Sequence, residues 1–480
     1  MMESLTERLT APDADVLQTA RNPAFTSSLI HILSGQFACA AIALLTEIIY
    51  ARFLGPAARG LISLCLMSIG FAALFGGLGG EGSIVYWSSR SRHGNSAWLP
   101  AVLLWGVLGS TAAVAVWSCV YWRLHVAFLH GITPGLAKLI LVCIPVAILF
   151  AYAMAFLAGI EEFRLRSISA FSRQAIGMIV CMTFLAIAGR TAQAALWGIL
   201  CGLLVASGMT VWLVRRRLFA FWRLRNIEDQ LAPTLRYGLR GFIGNLATFF
   251  TYRLDVFFVN YFLQPAQVGF YALGVAISES LWQIPQAVAS ALFPRTARTQ
   301  EIDGGESTRF ACFIFRQVFL ITTFCGILIA AISPIAIPLI FGRAFRPSIS
   351  VVLWILPGTI ALSMGKVACA DLAGRGKNGY SSVFALICFA VTIGLDWLLI
   401  PTLGIVGASI ASSVAYFINT FLILMAVRRE LKVTWKDLFY PTDEEPAAYG
   451  NLPNRVKAAT NRARAERNRL HPDISVAGSP

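Results

Sequence analysis

Uncharged apolar runs, each about the length of a membrane crossing, recur along this chain as far as residue 427. A helix crossing roughly 30 Å of hydrocarbon needs about 20 mostly apolar residues. The runs predict twelve spans, near 29–50, 60–87, 97–121, 136–158, 168–189, 193–214, 236–262, 266–292, 312–334, 349–373, 379–400 and 404–427. In lipid every backbone polar group must be satisfied internally, which leaves helices or a closed barrel. Continuous apolar stretches, rather than ten-residue alternations, select helices. The fold class expected is an all-α polytopic membrane protein. Residues 1–25 are polar and mixed in charge and do not read as a cleaved signal, because the first apolar run grows into a full span.

An internal repeat organises the spans. Residues 53–64 read FLGPAARGLISL and residues 262–273 read FLQPAQVGFYAL, with Phe53, Leu54, Pro56, Ala57, Gly60 and Leu64 matching Phe262, Leu263, Pro265, Ala266, Gly269 and Leu273. Gly35/Gly244 and Gly198/Gly407 fall on the same offset. Each half, 26–214 and 236–428, holds six spans, an even number, so the repeats share one orientation and an axis along the membrane normal. Residues 215–235, beginning RRRLFAFWRLR, interleave cations with aromatics and suit an interfacial connector with its rings down and its arginines up. Residues 429–480 form a basic tail, expected to be disordered beyond 441.

Composition agrees with this layout: 57% of residues are hydrophobic and 13% charged, about half the charge of a soluble domain. The net charge of +15 is distributed by topology. Loops after even-numbered spans carry eighteen Lys and Arg, counting Arg164, Arg166 and Arg173, against seven after odd-numbered spans. Positive charge stays cytoplasmic, so both termini are expected inside. The basicity therefore requires no nucleic acid; some of it attracts anionic bilayer lipids. The ten cysteines are scattered singly, without a C-x-x-C pair, and read as small packing residues.

A charge at the bilayer centre costs about 2.5–3.5 kcal/mol on insertion scales, so each needs an explanation. Span seven contains Arg253 and Asp255. Span eight presents Glu279, Gln283, Gln286 and Ser290 at i, i+4, i+7 and i+11, one polar stripe along a helix. Span ten adds Thr359, Ser363 and Lys366, with Asp371 nearer the cytoplasm. Three striped helices suggest a shared aqueous cavity; the alternative is that Arg253 pairs with Asp255 or Glu279 only to tie helices together. Asp255, Glu279, Glu81 and Asp371 are the candidates for coupling or gating. In the first half, Leu44 and Thr46 stand at the positions matching Arg253 and Asp255. Glu81 lies in GGLGGEG (76–82), whose glycines fit close helix approach or a bend better than a nucleotide loop, since no βαβ unit surrounds them. Glu47, Arg52 and Arg59 are expected to be solvated at the outer mouth. H-E-x-x-H, G-x-S-x-G and Walker A motifs are absent, and His125 and His130 have poor spacing for a metal pair. No enzyme, metal site or cofactor is expected, and transport without a nucleotide site would be passive or ion-coupled.

ARFLGPAARG (51–60), Arg253-Leu-Asp255, QVGFYAL (267–273), ALFPRTAR (291–298) and LGIVGASIAS (403–412) together resemble the polysaccharide flippases, a branch of the multidrug/oligosaccharidyl-lipid/polysaccharide exporter (MOP) superfamily. The resemblance covers roughly residues 25–430. It implies two six-helix lobes in a MATE-like V, opening alternately to either side. It also implies a lipid-linked oligosaccharide of undecaprenyl-pyrophosphate type, moved from inner to outer leaflet for lipopolysaccharide or exopolysaccharide assembly beside a polymerase and glycosyltransferases. On that reading Arg253 offers bidentate contact to phosphate, Lys366 a point charge, and Gln283 and Gln286 partners for sugar hydroxyls. The alternatives are a cation-coupled drug antiporter of the same fold and, from another class, a membrane-embedded glycosyl- or acyltransferase.

Overall fold

The computed structural model describes residues 38–90, 98–124, 128–187, 189, 191–220, 227–299, 304–377 and 379–440. Every regular element among them is a helix. Helix α1 (38–49) runs through a π-turn, Tyr50–Leu54, into α2 (Gly55–Gly77). Gly55 takes φ 77°, and Pro56 follows in the first turn of α2, where its missing N–H costs nothing. By length and apolarity Ala38–Gly77 counts as one span of 40 residues. On a straight helix, Glu47 and Arg59 would stand about 18 Å apart. Their side chains instead form an ion pair at 2.7 Å. The chain doubles back at the π-turn, and this stretch makes two crossings.

The first half continues with α3 (Gly80–Arg90), α4 (Trp98–Leu124), α5 (Pro134–Gly159), α6 (Phe163–Ile187) and α7 (Ala192–Ala220). The second holds α8 (Ile227–Phe262), α9 (Pro265–Glu279), a 3-10 turn (Ser280–Trp282), α10 (Gln283–Thr299), α11 (Gly304–Ile340), α12 (Ser348–Gly374), α13 (Gly379–Leu403) and α14 (Ile405–Leu431), with the short α15 (Trp435–Phe439) at its end. Ten helical stretches among the described residues are long and apolar enough to cross a membrane. Counting Ala38–Gly77 twice and α9 with α10 as one end-to-end crossing recovers the expected twelve.

The second crossing of each half is interrupted, in span two at the glycines expected to allow a bend or close approach, in span eight where one continuous stripe was expected. Span two is broken by Leu78 and Gly79, at φ 47° and 70°. Gly79 lets α8 approach closely, for a Cβ there would overlap the Gly238 carbonyl. Span eight is broken by the 3-10 turn, one residue beyond Glu279. Within the connector expected at 215–235, helix occupies both ends. Good helix formers carry α7 to Ala220, and Glu228 and Asp229 complement the dipole at the start of α8. Only 221–226 of that segment lies outside the described residues. Of the tail, α14 reaches Leu431 and α15 is fixed by a capping box in which Thr434 and Asp437 bond reciprocally; residues 441–480 lie outside the described part.

The two copies of the repeated motif meet each other. A Cβ on Gly60 would overlap the Pro265 carbonyl oxygen, and one on Gly269 would overlap that of Pro56. Such reciprocity, residue against its partner's counterpart in both directions, is what a two-fold relation between repeats produces. It makes α2 against α9 the tightest seam between the halves. At the same end Asn260 Nδ2 donates to the Phe128 carbonyl at 2.9 Å, and Arg52 donates to the last carbonyls of α11, Leu339 and Ile340. Those carbonyls have no intrahelical donor, so the arginine supplies one. Facing outward, Phe324, Ile327, Ile335 and Leu339 of α11 are exposed, as a hydrocarbon-facing surface requires.

Candidate functional site

In the second half, α8, the α9–α10 break, α12 and α14 converge on one polar cluster. The guanidinium of Arg253 grips Glu279 through two parallel hydrogen bonds, Nη1 to Oε1 at 3.0 Å and Nη2 to Oε2 at 2.7 Å. Such a forked pair fixes orientation as well as charge. Lys366 lies over the faces of Trp282 and Tyr252, at 3.9 and 5.2 Å from the ring centroids. Tyr252, Trp282 and Tyr416 pack on one another with centroids 5.2–5.7 Å apart. The 3-10 turn explains this placement: it swings Trp282 beneath the lysine while leaving Glu279 facing α8. Ring faces attract the ammonium without neutralising it. The cluster thus sets two cations against one carboxylate. Its Arg253 side chain stays 32% exposed against 11% for Glu279.

Asp255 belongs to a different environment. It is 2% exposed and accepts hydrogen bonds from the Tyr271 hydroxyl, from Ser412 Oγ at 3.2 Å and from the Val256 amide at 2.7 Å. Near it on α13 stands Asp396, fully buried, and no donor among the described residues reaches either of its carboxylate oxygens. The sequence reading missed Asp396 because it is the only charge in its span and has a single polar neighbour at helical spacing, Thr392 at i−4, too little to mark a stripe.

The other residues singled out by sequence separate into distinct places. Thr359 and Ser363 are buried and turn back on their own helix, donating to the Ile355 and Thr359 carbonyls. Asp371, also buried, accepts from Thr296 at 2.8 Å and pairs with Arg375 at 2.8 Å, joining α10 to α12 rather than lining a cavity. Gln286 is exposed on α10, and Gln283 opens into a cavity of about 390 Å³ shared with α1, α5 and α6. Glu81 lines another cavity of about 390 Å³, with Gly77, Gly80, Tyr237, Gly241 and Asn245. The solvated outer mouth expected for Arg59 is not found. Arg59 is buried, bonded to Glu47 and to Ser63, because the π-turn folds α1 onto α2.

This arrangement is a MATE-like transporter fold. The chain overlays "Lipid II flippase MurJ, inward closed conformation" with a TM-score of 0.72, at 13% identity over 85% of this chain and 89% of that one. It overlays an inward-facing multidrug resistance MATE family transporter of the MOP superfamily at 0.65, with 17% identity over 84% and 98%. The family itself is shown by sequence: residues 49–350 match the polysaccharide biosynthesis protein family, and the chain belongs to it. Among curated relatives, the probable low-salt glycan biosynthesis flippase Agl15 of Haloferax volcanii is 25% identical, across about half of each protein, 49% of either length. A putative O-antigen transporter of Shigella flexneri is 21% identical over 78% of this chain and 90% of its own length.

Proposed function

We propose that this protein flips a lipid-linked oligosaccharide, of undecaprenyl-pyrophosphate type, from the inner to the outer leaflet of a bacterial inner membrane. Both termini would lie in the cytoplasm, and a polymerase and glycosyltransferases would work beside it. The observation carrying this reading is the Arg253–Glu279–Lys366 cluster inside a MATE-like fold of the polysaccharide biosynthesis family. A diphosphate and its sugars cannot enter hydrocarbon unaided, since unpaired charges and hydroxyls cost many kcal/mol there. A cation held over aromatic rings and a guanidinium held by one carboxylate can take phosphate oxygens without first shedding a full shell of water. The glutamate keeps Arg253 aimed and is displaced, or shares it, when the anion arrives. Gln283 and Gln286 would serve sugar hydroxyls.

Asp255 and Asp396 fit the driving step. An uncompensated carboxylate in a low-dielectric interior holds a proton or a small cation. Loading and unloading at Asp396 would alter the packing of α8 against α13, two residues from Arg253. The same pair of acids, with the aromatic cage, is what a cation-coupled antiporter of small molecules would also use. Deleting the gene and analysing its lipids separates the readings. Complete lipid-linked repeat units accumulating on the cytoplasmic leaflet support the flippase; unchanged lipids support the antiporter, and truncated glycans a transferase.

A further inference from the structure

The cavity that Gln283 enters is built mainly by the first half, and its polar wall is one face of α6. Phe163, Arg166, Ser167, Ala170 and Gln174 line it from that helix, with Cys39 of α1 and Met154 of α5 opposite. Arg166 is exposed, and Arg173, one residue before Gln174, rests over the face of Phe150 at 5.7 Å. Among the described residues neither arginine has a carboxylate within ion-pair distance. Counted by sequence as topological charges, they stand instead on a spanning helix beside a cavity shared by both halves.

Charge balance gives them a role. A sugar-linked diphosphate carries about two negative charges, while the Arg253–Glu279–Lys366 cluster offers one uncompensated positive charge. Arg166 and Arg173 supply two more, without an ion-pair partner among the described residues, with the Ser167 hydroxyl and the Gln174 and Gln283 amides as further donors. Gln283 follows Glu279 by four residues across the 3-10 turn, which links this wall to the inner cluster along the chain. We propose that Arg166 and Arg173, with Gln174 and Gln283, form a second, first-half subsite for the diphosphate of the substrate, handing it on to Arg253 and Lys366. This rests on the flippase reading and names where its head group first binds.

The test is binding to full-length protein in nanodiscs of zwitterionic lipid, titrated with undecaprenyl diphosphate, inorganic pyrophosphate and phosphatidylglycerol. R166Q and R173Q should each weaken undecaprenyl diphosphate by about tenfold, the scale of one lost charge-assisted hydrogen bond. R166K and R173K should recover part of it, and the exposed Arg215→Gln, stacked on Trp212, should change nothing. Recovery by the lysine variants, together with unaltered thermal melting, excludes misfolding as the cause. If both glutamine variants bind like wild type, the subsite is wrong while the flippase reading stands. If wild type binds pyrophosphate in an Arg166- and Arg173-dependent way but ignores the polyprenyl form, the anion subsite stands and the flippase reading fails. Phosphatidylglycerol binding equal to that of undecaprenyl diphosphate would overturn the subsite as one for substrate and make it a bulk-lipid contact.

Discussion

Gly60→Ala and Gly269→Ala test the reciprocal seam between the halves. The added methyl of Gly60→Ala would overlap the Pro265 carbonyl oxygen and come within 2.8 Å of the Gly269 amide nitrogen. Both atoms are backbone, so no rotamer change relieves the contact and α2 must move from α9. Overpacking of this kind costs about 1–3 kcal/mol, and replacing a helical glycine returns up to about 1 kcal/mol. The net loss expected is about 1–2 kcal/mol for either substitution, equivalent to a factor of about 5–30 in the population of the state with this end closed. Gly394→Ala on α13 is the control, because a Cβ there meets nothing within 4 Å. The buried thiols of Cys65, Cys143, Cys181, Cys312 and Cys388 report unfolding to a thiol-reactive dye during a thermal ramp. Both seam variants should melt below wild type and the control at or above it. The double variant should lose less than the sum, because once the helices have parted the second methyl finds room. Melting of G60A and G269A that matches or exceeds G394A would refute the two-fold seam as a close backbone contact.

Glu279→Gln removes the fork that aims Arg253 and leaves a partly buried cation without its counter-charge; with Arg253 one-third exposed, the stability loss should fall below the roughly 3–5 kcal/mol of a fully buried pair. Arg253→Lys keeps charge but loses the fork, and polysaccharide export should drop at least ~10-fold at normal protein level; wild-type export would make the pair a structural tie. Asp396→Asn keeps shape and removes the ionisable group, so transport in proteoliposomes should stop responding to an imposed proton or sodium gradient; an unchanged gradient response would exclude Asp396 from coupling. Hydrogen bonds from the Thr434 amide and hydroxyl hold the Asp437 carboxyl below its ordinary value of 3.8. A depressed carboxylate stabilises the folded form above its unfolded pKa and loses that contribution as pH falls through the folded one. Amide exchange across 435–440 should therefore be flat from neutral pH down to about 4, once corrected for intrinsic exchange rates, and rise only below it. Fraying already at pH 6 would contradict the cap.

The number of crossings, their helical character, the parallel repeat and the presence of charge in spans seven, eight and ten could all be read from the chain. These depend on local apolarity and on identities at a fixed offset, and insertion into lipid punishes any exception. The glycines of 76–82 signalled a bend or close approach where Leu78–Gly79 breaks span two, but the break at Ser280–Trp282 could not be read, because an interrupted helix and a continuous one have the same hydropathy. Sequence also placed Thr359, Ser363 and Asp371 with Lys366 on helical spacing alone, whereas packing turned the first two onto their own backbone and gave Asp371 to Arg375. Asp396 and Arg173 show the converse. Each is a lone charge whose meaning comes from what stands across from it: for the buried acid no donor among the described residues, for the arginine an aromatic face. Hydrophobic pattern decides which residues leave water, since that cost is set residue by residue along the helix. Which charges then meet, neutralise one another or remain free is decided only when distant helices close to within a few ångströms, because electrostatic and hydrogen-bond energies depend on those separations.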